Sequence, residues 1–119
     1  MKNRDRVVLE KMTAYANELL SYVDGMEYDA FANDRKTISA CAFIIGQMGE
    51  LVAVTSEEAQ SEHTEIPWRN IKGMRNRIIH DYEKVDYIVL WKTIEESIPK
   101  LIEAVNAVLE KFSVGEESQ

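Results

Sequence analysis

The stretch Ile88-Val89-Leu90-Trp91-Lys92-Thr93-Ile94-Glu95-Glu96-Ser97-Ile98-Pro99-Lys100-Leu101-Ile102-Glu103-Ala104-Val105-Asn106-Ala107-Val108-Leu109-Glu110-Lys111-Phe112 decides the fold class. Its apolar residues Ile88, Trp91, Ile94, Ile98, Leu101, Val105, Val108 and Phe112 alternate steps of three and four, which puts them on one stripe of a long helix. Two upstream segments repeat the pattern: Val8, Met12, Tyr15, Leu19, Tyr22 and Met26, then Ile38, Cys41, Ile45, Met48, Val52 and Thr55. No strand alternation competes. A shorter helix is expected to start near Pro67 and run to about Tyr82, and Asp86 is expected to cap the last helix. The Met, Tyr and Trp residues of these stripes are expected in the core.

Short polar connections between such stripes specify an all-α fold, an antiparallel four-helix bundle in which each helix buries one face. Gly25 and the Asn33-Asp34 pair mark the first connection, and Ser56 to Glu65 reads as a mobile acidic loop in which His63 is solvated. Pro99 cannot donate a backbone hydrogen bond and is expected to bend the last helix there. The chain of 119 residues, 45% hydrophobic, suits one domain over residues 1–112. Residues 113–119 hold too little apolar content to pack and are expected to form a disordered acidic tail. The one cysteine, Cys41, sits in an apolar run and reads as a buried small hydrophobe in a reducing, cytoplasmic protein. The N-terminal residues show no signal-peptide core, and no apolar run is expected to span a membrane.

Against this plain background stands Arg75-Asn76-Arg77-Ile78-Ile79-His80, followed by Asp81 and Tyr82. Between positions 69 and 84, Arg69, Lys72, Arg75, Arg77 and Lys84 meet only Asp81 and Glu83, so this window is net +3 in a chain of net −7. An acidic body discourages indiscriminate binding of nucleic acid while a confined basic site accepts phosphate locally. On a helical wheel Met74, Ile78 and Tyr82 fall within about 60° of Ile71 and form the buried stripe. Arg75 lies about 40° from that stripe, where a guanidinium requires a partner such as Glu50, whereas Gly73, Asn76 and His80 share the opposite side. From the residues alone these positions read as an ion pair with a surface histidine or, alternatively, as a site. With two histidines in different surroundings no metal centre can be assembled, and the sequence holds no phosphate loop, no CxxC pair and no Ser-His-Asp arrangement.

The run from Ile66 to Tyr82, followed by Val85-Asp86 and Trp91, resembles the C-terminal half of HepT-like proteins of the HEPN superfamily. Tyr28 to Arg35 and Met48-Gly49-Glu50-Leu51 resemble the same family's upstream signatures. The resemblance covers roughly residues 5 to 112. It implies a small helical ribonuclease that acts as the toxin of a toxin–antitoxin pair and works as a homodimer without a cofactor. It implies RNA as substrate and, as partner, a minimal nucleotidyltransferase antitoxin that adds AMP to the tyrosine of an Arg-x4-His-x-Tyr motif, here Arg75, His80 and Tyr82. His80 would then be the acid or base, Arg75 would hold the phosphate and Asn76 would support them. Because Arg75 and His80 stand about 140° apart on one helix, a twofold axis that sets Arg from one subunit opposite His of the other completes the site. The alternative is a non-catalytic helical module that docks a nucleotidyltransferase.

Overall fold

The fold follows from how three long apolar stripes bury one another, with short capped helices filling the corners. In the computed structural model the described residues are 3–80 and 86–117, the side chains of 79, 80 and 112–117 excepted. Helices run over α1 (Asn3–Tyr22), α2 (Tyr28–Ala32), α3 (Arg35–Val54), α4 (Glu57–Glu62), α5 (Trp68–His80), α6 (Tyr87–Lys92) and α7 (Ile98–Glu117), with one π-helical turn at Thr93–Ser97. The protein is all-helical among its described residues. α3 packs against α5 and α1, α1 packs against α7, and α2 bridges α3 and α6. The Cα atoms extend over 51 × 29 × 18 Å, so the molecule is a slab about two helices thick.

The core is built from the predicted stripes: Met12, Leu19, Ile45, Met48, Ile94, Ile98, Val105 and Val108 are all fully buried, and Leu9, outside the predicted stripe, joins them. Val8, Ile38 and Thr55 at stripe ends are buried as expected, but the end of the first stripe and the start of the last depart from it. α1 stops at Tyr22, which is exposed and bonded to Glu18, because the chain turns at Gly25 with φ of 75°. Met26 lies past the helix, partly buried against the core, and Ile88 is 49% exposed. Phe112 falls among the side chains not described. Trp91 keeps its inward place by meeting Phe31 with ring centroids 5.0 Å apart and Tyr28 at 6.4 Å, which pins the unanticipated helix α2 onto α6.

The turn just before Pro99 departs from α-helical geometry. The missing N–H of Pro99 and its ring both fall on the turn at Thr93–Ser97, which is π-helical. Widening that turn relieves the clash with the carbonyl four residues back. Downstream, α7 stays helical to Glu117, beyond Ser113 where the composition leads one to expect fraying.

The segment expected to be a mobile acidic loop is a helix with specific ties. The Ser56 hydroxyl caps α4 by accepting from Ala59 N at 3.1 Å, and buried Asp5 accepts from Ser56 N and Oγ at 3.2 and 3.0 Å. Gln60 donates to the carbonyls of Val52 and Thr55, fastening α4 under the end of α3. His63 is not solvated: its side chain is only 16% exposed, near Glu62 and Glu65, and its carbonyl accepts from Trp68 Nε1 at 3.0 Å. This contact fixes the entry to α5, whose first bond runs from Ile71 N to Pro67 O at 3.1 Å.

α3 starts at Asp34, which accepts from Thr37 N and Oγ1 at 3.0 and 2.7 Å; those bonds hold its carboxyl below the usual range. Its one thiol, Cys41, is buried, and that burial pushes the thiol up to about 11, so it is not a nucleophile at neutral pH. Contrary to expectation, α3 is by length and composition apolar enough to cross a membrane, although half of that stretch is buried inside the protein.

Candidate active site on helix α5

α5 carries no carboxylate and presents Arg69, Lys72 and Arg77 as exposed cations. Its inner face is held by Trp68, Ile71 and Ile78, all buried, with Met74 partly so; this is the stripe that periodicity predicts up to Ile78. Tyr82 and Asp81 lie outside the described residues, as does the side chain of His80. The backbone of His80 forms the last residue of α5.

Arg75 shows how α3 and α5 build a site together. Gly49 of α3 faces the stem of Arg75: a Cβ placed on Gly49 would run into Arg75 Cβ and Cγ, with Arg75 Cδ 3.2 Å away. The absence of a side chain there lets the aliphatic stem cross α3 closely. One residue on, Glu50 accepts a charge-assisted hydrogen bond from Arg75 Nη2. Asn76 Oδ1 accepts from Nη1 at 2.9 Å, and Nε is buried with no partner among the described residues. The guanidinium is therefore oriented on two sides, with its side chain 30% exposed. An ion pair this open contributes about 0–1 kcal/mol, so its value lies in placement more than in stability.

The sequence reading anticipated Glu50 as the partner of Arg75, and Arg75 and Glu50 do meet. It placed Asn76 on the same face as His80, whose side chain lies outside the described residues; the Asn76 carbonyl oxygen accepts from Arg75. It named Gly49 only within the Met48-to-Leu51 signature and gave it no role, although a glycine inside a helical stripe next to the partner carboxylate was a signal. Beside this cluster, Phe43 is 62% exposed and lines a groove of about 470 Å³ with Gly46, Gln47, Glu50 and Ile78. Among the described residues no group of three or more His, Cys, Asp or Glu side chains is placed to hold a metal ion.

The site thus joins an oriented, reachable guanidinium, an amide and a histidine position on one basic helix of an acidic protein. Comparison with known proteins points the same way. Residues 12–108 match the family model described as Ribonuclease HepT-like. A Caldanaerobacter subterraneus protein named "Putative RNase TTE0752" is 32% identical over 106 residues, 89% of this chain and 95% of the relative. A Thermococcus cleftensis protein named "Probable ribonuclease HepT" is 33% identical over 101 residues, 85% of this chain and 92% of the relative. A Methanocaldococcus jannaschii protein named "Putative RNase MJ1380" is 28% identical over 109 residues, 91% of this chain and all of the relative. No solved structure matches the chain. The match spans α1 through α7 and takes in both halves of the Gly49-Glu50 and Arg75 contact, and the chain belongs to the HepT-like ribonuclease family.

Proposed function

We propose that this protein is a metal-independent endoribonuclease and the toxin of a toxin–antitoxin pair, built as a four-helix HEPN-type bundle that works as a homodimer. The observation that carries the reading is the Arg75 guanidinium, held by Glu50 and Asn76 on the helix that also bears His80. RNA cleaves when its 2′-hydroxyl loses a proton, the charge on the pentacoordinate phosphorus is stabilised and the 5′-oxygen gains a proton. Arg75 would bind the scissile phosphate and the growing charge, with Asn76 setting the plane of the fork. His80 would move the proton. One observation favours the alternative of a non-catalytic docking module: both Arg75 terminal nitrogens already have protein partners. A phosphate must displace Glu50 or bind the outer edges of the fork.

The homodimer reading is supported by the 18 Å thickness of the slab and by Phe43, 62% exposed beside Glu50. A second copy covering the α3 and α5 face would bury Phe43 and set one subunit's Arg75 opposite the other's His80. Sedimentation at micromolar concentration is expected to give the mass of two chains; a monomer would remove the two-subunit site.

The purified protein is expected to cut RNA in EDTA and leave 2′,3′-cyclic phosphate ends. Incubation with a minimal nucleotidyltransferase and ATP should add AMP to Tyr82, mapped by mass spectrometry, and end that cleavage. An attached phosphate two residues from His80 competes for the Arg75 donors. Absence of cleavage by the unmodified protein would leave the docking module as the better reading.

A further inference from the structure

The four long helical elements do not close on one another evenly. α5, α3, α1 and α7 pack in that order, and between α5 on one side and α6 and α7 on the other an open groove of about 510 Å³ remains. Buried Ile71, Ile78, Ile98 and Leu101 border it, and Met74 and Val89 lie along it. Its polar wall is of one sign: Arg69, Arg77 and Lys100 line it, and no carboxylate does among the described residues. The chain has 21 acidic residues against 14 basic ones, so a rim without a carboxylate stands out from the composition. None of the three cations has an ion-pair or hydrogen-bond partner among the described residues. Among the described residues no contact gives them a structural role.

We propose that this groove is a subsite for single-stranded RNA, taking the nucleotide next to the scissile phosphate. Its base would lie against Met74 and Val89, and its phosphates on Arg69, Arg77 and Lys100. The proposal rests on the ribonuclease reading above and names where that substrate runs. Three arguments support an RNA strand over an acidic peptide. A volume of about 510 Å³ falls within the range of about 300–1,000 Å³ for pockets that enclose a compact ligand, and it suits one nucleotide better than a helix. Apolar surface beneath a cationic rim matches a nucleotide, whose base is flat and apolar-faced and whose anionic groups sit at its edge.

The third argument is position. By helical register Arg69, Gly73 and Asn76 form the outer ridge of α5, with Arg75 on one flank and the groove on the other. Gly73 is exposed and lines the groove, and a Cβ built on it would touch nothing within 4 Å. Glycine inside a helix costs about 1 kcal/mol relative to alanine, and no internal packing requires it here. A low point in the ridge lets one strand cross from the Arg75 side into the groove over a helix about 10–12 Å wide.

The test is the affinity of the full-length protein for a fluorescently labelled, uncleavable 2′-O-methyl oligoribonucleotide, measured by anisotropy across a salt series. The variant R69A/R77A/K100A, whose changes are all at exposed positions, is expected to bind at least about tenfold more weakly. Its salt slope should fall by about 2, the loss of three phosphate contacts on a single strand. Ser97→Trp fills the groove without changing charge and is expected to weaken binding about fivefold. Parent-like affinity in both variants would overturn the subsite, as would a parent protein that binds no RNA, or variants that lose only binding to an acidic peptide. Because the probe cannot be cut, binding that depends on the groove in a protein without nuclease activity would unseat the ribonuclease reading and leave the subsite standing.

Discussion

His80→Ala is expected to slow RNA cleavage by about a hundredfold or more while leaving far-ultraviolet circular dichroism and sedimentation unchanged. The size follows from removing a general acid or base from a reaction that needs both a proton donor and a proton acceptor. Arg75→Ala should cost at least as much activity, because the developing phosphorane charge loses its fork of donors. The two variants should differ in stability. His80 ends a helix, whereas Arg75 lays its stem across Gly49 and its tip on Glu50. Glu50→Gln separates placement from structure. It keeps an acceptor for Nη2 and removes one charge from a pair that contributes about 0–1 kcal/mol, so the protein should remain folded. If Arg75 handles phosphate, Glu50→Gln should shift RNA affinity and cleavage through a less constrained guanidinium. If Arg75 is only a strut, Arg75→Ala and Glu50→Gln should alter urea midpoints and leave cleavage as in the parent.

Gly49→Ala is the substitution with the largest expected effect on the fold. The added methyl would meet Arg75 Cβ and Cγ, atoms close to the α5 backbone that cannot swing away as a side-chain tip can. α5 must then back off from α3, its main packing partner. Overpacking of this kind costs about 1–3 kcal/mol. Alanine's better helix propensity offsets about 1 kcal/mol of that, which leaves a net loss of up to about 2 kcal/mol in urea unfolding at fixed protein concentration. Cleavage should fall with it, since Arg75 moves. Gly73→Ala supplies the opposite sign: nothing lies near its Cβ, so the free protein should gain stability by up to about 1 kcal/mol. Equal effects from the two glycines would show that the α3–α5 crossing does not depend on Gly49.

The helical class, the three long stripes and the inner face of α5 were legible in the sequence because each depends on periodicity along one element. Ile45, Ile98 and Val108 are buried for reasons that a wheel displays. Capping by Asp86 belongs to the same kind of local information: it accepts from Ile88 N at 2.9 Å, two residues away. The basic character of α5 was legible as well. So was the need of Arg75 for a carboxylate, since a guanidinium near an apolar stripe cannot stand alone.

What only the tertiary structure decided involves partners far apart in sequence. Ser56 to Glu65 reads as a loop because its composition is polar, yet Asp5, 51 residues from Ser56, binds its N-cap and Gln60 ties it to α3. Trp91 keeps its place through Phe31, and the effect of Pro99 appears as a π turn because α6 and α7 must both stay in contact with the core. Gly46, Gly49 and Gly73 look alike in the sequence as helix-interior glycines. Only the crossing of α3 over α5 makes Gly49 a contact while the other two face open space. The groove between α5 and α7 is likewise invisible to periodicity, because a seam left open is a property of how four elements meet and not of any one of them.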